Sequence, residues 1–134
     1  MSGPDRCVGA VAVDADRLLM IRRGHGPAAG QWSVPGGRVE RDELLAEAVV
    51  RELWEETAVE GVCGELVGWV ERFDEGLHYA ILDFRVSVLE ATTPTAGDDA
   101  AEARWVPLSD VADLNLVDGL AEFLHEHGIL RTIT

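Results

Sequence analysis

Apolar and polar positions change their period several times along this chain, and each change marks an element. Residues 7–13 (CVGAVAV) and 17–22 (RLLMIR) are nearly continuous β-branched and apolar runs on either side of Asp14-Ala15-Asp16, which predicts a hairpin. A glycine-rich loop at 24–30 follows, then an extended piece at 31–34 that Pro35-Gly36-Gly37 closes. Over 42–57 the spacing becomes helical. Apolar side chains at 44, 45, 46, 48, 49, 50 and 53 interleave with charges, and Asp42 is the expected N-cap. Strand patterns return at 66–73 and 78–88, where Ala80, Leu82, Phe84 and Val86 share one face while Asp83, Arg85 and Ser87 alternate on the other. A short strand at 102–106, a brief helix after Ser109 and a longer helix at 118–127, ended by Gly128, complete the pattern. The sum is an α/β (α+β) sandwich, a mixed β-sheet flanked by helices.

At 134 residues with 47% apolar composition, the chain suits a single domain over 1–134 with its own core. No repeat or low-complexity tract divides it, and the small-residue loop at 91–98 is too short to do so. The net charge of −14 disfavours a broad grip on nucleic acid. All the basic residues are arginine, so Schiff-base lysine chemistry and the P-loop lysine are excluded. Phosphate recognition is left to arginine, backbone amides or metal. Cys7 and Cys63 lie far apart without metal-site spacing and read as buried free thiols. No charged-then-apolar leader opens the chain and no apolar run approaches the ~20 residues of a membrane span, so a cytoplasmic protein without a membrane partner is expected. A homodimer stays open.

Charge is concentrated in one place. Between residues 37 and 60 stand eight acids, Glu40, Asp42, Glu43, Glu47, Glu52, Glu55, Glu56 and Glu60, against three arginines. At about 100° per residue, Glu52, Glu55 and Glu56 fall within an arc of roughly 100° on the predicted helix. Like charges at i, i+4 are destabilising, and no lysine relieves them. A divalent cation would offset the repulsion, and oxygen-only ligation suits Mg²⁺ or Mn²⁺; the bland alternative is a solvated acidic face. Arg51 can pair at i, i+4 with Glu47 and Glu55 and adjoins Glu52, while Gly36-Gly37 brings bare backbone near the helix start.

These residues carry a resemblance. Gly37-x5-Glu43-x7-Arg51-Glu52-Leu53-x-Glu55-Glu56-x-Ala58-Val59 resembles the signature of the Nudix hydrolase family, Gly-x5-Glu-x7-Arg-Glu-U-x-Glu-Glu-x-Gly-U with U aliphatic, and eight of its nine defined positions agree. The flanks Trp32-Ser-Val-Pro-Gly-Gly37 and Glu102-Ala-Arg-Trp-Val106 are also similar to the family's pattern. The departure is Ala58, where the family prefers glycine at the passage from helix to loop. A positive φ there would cost alanine on the order of 1 kcal/mol.

The resemblance implies a hydrolase that cleaves the pyrophosphate of a nucleoside diphosphate linked to another group, ADP-ribose-like or a nucleoside triphosphate. It implies that Glu52, Glu55 and Glu56 hold Mg²⁺ or Mn²⁺ with help from the Gly36 carbonyl, while Gly37, Glu43 and Arg51 support them. Arg23 would meet substrate phosphate. Glu52, or a carboxylate from the acidic loop, Asp99 or Glu102, would serve as general base. Trp32 is a candidate for stacking beside the site and His78 for lining a base or ribose pocket, although each also reads as an ordinary structural residue. His25 sits in the glycine-rich loop, and His125 and His127 point too far apart on a helix to share a metal. Two other readings of the same scaffold are a nucleotide or ADP-ribose sensor without turnover and an isoprenoid diphosphate isomerase. Retention of all three glutamates speaks against the first, and the positions of Cys7 and Cys63 against the second.

Overall fold

The first two strands, β1 (Asp5–Asp14) and β2 (Arg17–Arg23), turn where expected, with Ala15 and Asp16 at φ of 48° and 60°. They separate almost at once. Only Val13↔Leu18 and Asp14↔Arg17 pair, after which the strands enter different sheets. In this computed structural model, which describes residues 3–74 and 76–131, β1 continues between β4 (Gly36–Arg38), antiparallel, and β6 (Leu77–Val88), parallel; β6 then pairs with β5 (Gly61–Asp74). In the second sheet β2 lies between β3 (Trp32–Ser33) and β7 (Ala100–Pro107), both antiparallel. The helices are α1 (Leu45–Thr57), α2 (Leu108–Val111) and α3 (Leu120–Glu126). The mixed sheet with few helices is the architecture the pattern predicts.

Alternation divides the core in two. Val8, Ala10 and Ala12 of β1 and Leu19 of β2 pack with Ala48, Val49 and Leu53 of α1. Val11, Leu18 and Met20 point the other way, into a cluster closed by Phe123 and Leu124 of α3. Both strands are therefore covered on both faces, which is why they read as unbroken apolar runs. Each fully buried leucine there contributes ~1.5–3 kcal/mol.

Several boundaries move. Asp42 does not cap α1: it sits at φ 64° in the preceding turn, and Leu44 is the N-cap. The Leu44 carbonyl accepts the Ala48 N–H at 3.0 Å, and the Glu47 carboxylate accepts the Leu44 N–H at 2.9 Å, so Glu47 caps the helix and does not pair with Arg51. Gly36 and Gly37 belong to β4 rather than to a closing turn. β5 begins at Gly61, five residues before the predicted start, because register shifts between Cys63 and Gly68 break the alternation that would reveal it. α3 is shorter than the 118–127 pattern, starting after Gly119 at φ 83°, while Gly128 ends its last turn at φ 76° as expected. Asp83, set by alternation on the face opposite Ala80, Leu82, Phe84 and Val86, is 5% exposed. Cys7 and Cys63 are free but only half-buried.

Candidate active site

α1 forms because its apolar positions fit one side of a helix, and that fit turns the glutamates to the other side. Ala48, Val49, Leu53 and Thr57 are buried, leaving Glu52, Glu55 and Glu56 toward a cleft. The helix ends at Ala58, whose φ of 58° and ψ of 27° put an alanine in the left-handed conformation where glycine is at no disadvantage. From there the chain leaves for β5, and the loop from β6 to β7 returns across the helix end. Thr95 and Gly97 donate their N–H groups to the carbonyls of Thr57 and Glu56 at 2.8 and 3.0 Å. A side chain on Gly97 would run into the Glu55 carbonyl, so only glycine allows this approach. The pinned loop delivers Asp98 and Asp99 to a cleft of about 390 Å³ that is also lined by Glu52, Trp54, Glu55, Glu56 and Ala58.

Arg51 organises the acids. It donates two hydrogen bonds to Glu43, from Nε at 2.7 Å and Nη2 at 2.9 Å, one from Nη2 to the Arg38 carbonyl at 3.0 Å, and from Nη1 reaches Glu52 at 2.9 Å and Glu55 at 3.2 Å. A bidentate contact of this kind fixes both planes. The Arg51 guanidinium holds the Glu43 carboxyl down at about 2, helped by the N–H of Glu40. Glu43 thereby ties the chain before the helix to its middle.

Glu56 is anchored from the sheet. Because the Ala10 N–H donates to the Pro35 carbonyl at 2.8 Å, Gly9 and Gly36 form a pair without mutual hydrogen bonds, and the Gly36 N–H and C=O turn outward toward α1. The N–H donates to Glu56 Oε1 at 2.6 Å. Gly37 supplies room: a Cβ there would stand 2.6 Å from the Glu52 carboxylate. Burial pushes the Glu56 carboxyl up to about 7 against the Gly36 hydrogen bond, with Glu52 and Asp99 adding repulsion and Arg23 opposing it. Glu52 is raised as well, mainly by burial and against the pull of Arg51. Burial is thus the main reason that both carboxyls resist ionisation.

These donors are hard oxygens on one helix face, the chemistry that Mg²⁺ or Mn²⁺ selects, and the Gly36 carbonyl faces the same side. Among the described residues no three His, Cys, Asp or Glu side chains are already gathered at coordinating positions. The reason is visible: Glu52 and Glu55 lean on Arg51, and Glu56 on the Gly36 N–H. The donor types fit a divalent ion, and rotation of Glu52 and Glu55 away from Arg51 is what binding would require.

The structure sorts the other candidates. Arg23 lies at the end of β2 close enough to lower the Glu56 pKa. Asp99 lines the cleft, and its Oδ1 meets His25 Nε2 at 3.3 Å while its carbonyl accepts the Gly24 N–H at 3.1 Å, tying two loops together. Glu102, three residues on, lies in β7 with Arg22 and Arg104, each at 3.6 Å, and does not line the cleft. Trp32 is 6% exposed in the core, with Arg104 above its ring. His78 is engaged by Glu71 at 2.8 Å, stacks on Phe73 at the β5–β6 end and does not line the cleft. Sequence reasoning missed Trp54, Asp98 and Gly97; helical spacing exposes Trp54, but nothing local announces the loop contact.

Comparison with known proteins agrees with this geometry. The NUDIX domain model matches residues 3–127. The chain is 36% identical over 112 residues to an ADP-ribose pyrophosphatase of Methanocaldococcus jannaschii, covering 78% of this chain and 66% of that protein, or about two thirds of its length. A MutT protein structure from Methanosarcina mazei Go1 superposes with a TM-score of 0.83 at 26% identity, covering 96% of each chain. A MutT Nudix hydrolase from Burkholderia pseudomallei gives 0.80 at 28% identity over 92% of this chain and 97% of that one. With the signature residues wired around Arg51 and the family model spanning nearly the whole sequence, the chain belongs to the Nudix hydrolase family.

Proposed function

We propose that this protein is a divalent-metal-dependent pyrophosphohydrolase acting on a nucleoside diphosphate linked to another moiety, either ADP-ribose-like or a nucleoside triphosphate. The observation that carries the reading is the convergence of Glu52, Glu55, Glu56 and Asp99 on one cleft, with Arg23 near enough to act on Glu56. Glu52, Glu55 and Glu56, with the Gly36 carbonyl, would hold Mg²⁺ or Mn²⁺. When bound, such an ion neutralises phosphate charge and lowers the pKa of attacking water. Arg23 binds substrate phosphate. Gly36 and Arg51 orient the glutamates, and the Glu43 carboxylate keeps Arg51 in place. Asp99, carried by the pinned loop, lines the cleft and would accept a proton from water; Glu102, which does not line it, is the less suited base. The 36% identity to an ADP-ribose pyrophosphatase supports cleavage within a pyrophosphate as the reaction.

The test is a screen of ADP-ribose, nucleotide sugars and nucleoside triphosphates with Mg²⁺, with Mn²⁺ and with EDTA, identifying the phosphate products. Metal-dependent cleavage within the pyrophosphate is expected. Tight binding without turnover would replace the enzyme by a sensor.

A further inference from the structure

Asp83 is the most anomalous side chain in the protein. It lies in the middle of β6 at 5% exposure, and its Oδ1 has no hydrogen-bond partner. An unpaired carboxylate in such a place costs free energy and calls for an explanation. The site chemistry above makes no use of it.

Its neighbours show how it is accommodated. The residues level with Asp83 on the two adjoining strands are Gly9 of β1 and Gly68 of β5. A Cβ on Gly9 would collide with Asp83 Oδ1 and stand 3.2 Å from Val34, so the carboxylate leans across Gly9 beneath Val34. The His127 and Phe123 rings cover Gly68 on the far side, and His127 makes no hydrogen bond to Asp83. Three adjacent positions on one sheet face therefore carry a single side chain, the Asp83 carboxylate, which lies over Gly9 while the His127 and Phe123 rings lie over Gly68. One register step along, the half-buried Cys7, Ile81 and Val70 give that face apolar walls.

The row continues to the phosphate site. Gly9 pairs on its other side with Gly36, whose N–H holds Glu56. Two strand spacings, about 10 Å, therefore separate the level of Asp83 from the residue that anchors the glutamates. A ribose can span this gap when its diphosphate lies among the glutamates. Only side chains, Val34, His127 and Phe123, cover the two glycines, so a planar heterocycle enters by displacing them without moving backbone, and the carboxylate with its unpaired Oδ1 suits a pair of adjacent N–H donors.

Resting on the pyrophosphohydrolase reading, we propose that Asp83 reads the base of the substrate, accepting the neighbouring ring imino and exocyclic amino N–H groups of a guanine-type edge. A base with a ring acceptor at the imino position, as in adenine or cytosine, sets a lone pair against the carboxylate and is disfavoured. Polar sites of this kind discriminate strongly, because a mismatched ligand leaves their buried groups unpaired.

The experiment compares GTP, ITP, ATP, CTP and ADP-ribose as substrates with Mg²⁺, in the native protein and in Asp83→Asn, together with binding of GMP and AMP followed by calorimetry without turnover. The expected order of kcat/KM is GTP above ITP, with ATP and CTP lower. Asp83→Asn lowers kcat/KM for GTP ten- to a hundredfold, mainly through KM, and leaves ATP unchanged or improved. Native protein that prefers adenine nucleotides overturns the assignment, as does an Asp83→Asn protein whose substrates all change by one factor or not at all. If the native protein hydrolyses nothing, the pyrophosphohydrolase reading fails. The GMP and AMP binding then judges Asp83 separately: tighter GMP binding that Asp83→Asn abolishes supports the assignment, and equal binding ends it. If Asp83→Asn fails to fold, binding to the native protein decides: GMP held more tightly than AMP supports the assignment, and equal or weaker GMP binding overturns it.

Discussion

Glu56→Gln should stabilise the metal-free protein while abolishing its activity, and the pH dependence of the first effect can be calculated. The Glu56 carboxyl ordinarily titrates at 4.5 and is pushed up to about 7 in the fold, first by burial. The folded state therefore keeps a proton that the unfolded chain releases over this window, so stability falls as pH rises from about 4.5 to 7, and above 7 the whole penalty is present. A gap of about 2.5 pH units at 1.36 kcal/mol each sets an upper value of roughly 3.4 kcal/mol, and the open side of the cleft reduces this to about 2. Glutamine has the same shape, is neutral throughout, and can still accept the Gly36 N–H through its carbonyl oxygen. The variant should match the native protein near pH 4.5 and exceed it by about 2 kcal/mol at pH 8, a rise of roughly 5–10 °C in Tm for a chain of this size. Thermal unfolding of both proteins at the two pH values in EDTA measures the difference. Saturating Mg²⁺ should then reverse the ranking at pH 8, because only the intact cluster gains the binding energy. A difference that does not vary with pH, or a less stable variant at pH 8, would refute burial as the origin of the raised carboxyl.

Ala58→Gly should stabilise by about 0.5–1 kcal/mol, since the left-handed conformation at φ 58° strains alanine by more than the extra freedom glycine has in the unfolded chain; an unchanged or lowered urea midpoint would count against strain there. Arg51→Ala strips partners from Glu43, Glu52 and Glu55 together and should cost about 1–3 kcal/mol in urea unfolding while raising the Mg²⁺ concentration needed for half-maximal turnover. Arg23→Ala should raise KM about tenfold with a smaller fall in kcat, and an unaltered KM would remove Arg23 from the phosphate site.

The carboxylate helix is legible in the sequence because a helix is a local object: once Ala48, Val49 and Leu53 face the core, spacing alone places Glu52, Glu55 and Glu56 on the other side. The covering loop is a different matter. Asp99 and Glu102 are three residues apart and equally acidic, yet one lines the cleft and the other lies along β7. What separates them is a set of backbone contacts, Thr95 to Thr57 and Gly97 to Glu56, made between segments distant in sequence and carrying no periodicity. Asp83 shows a second limit. Alternation means inside against outside only when a sheet has an open face, and the centre of β6 has helices on both sides. There the polar residue of an alternating pair goes into the protein, and its company identifies it. A glycine inside a strand signals close approach by another group, and Gly9 and Gly68, unpatterned in sequence, become readable only when pairing sets them on either side of one carboxylate. A buried acid between two bare positions in a central strand is better explained by what it waits to bind than by what it packs against, because packing alone would have favoured an apolar side chain at lower cost.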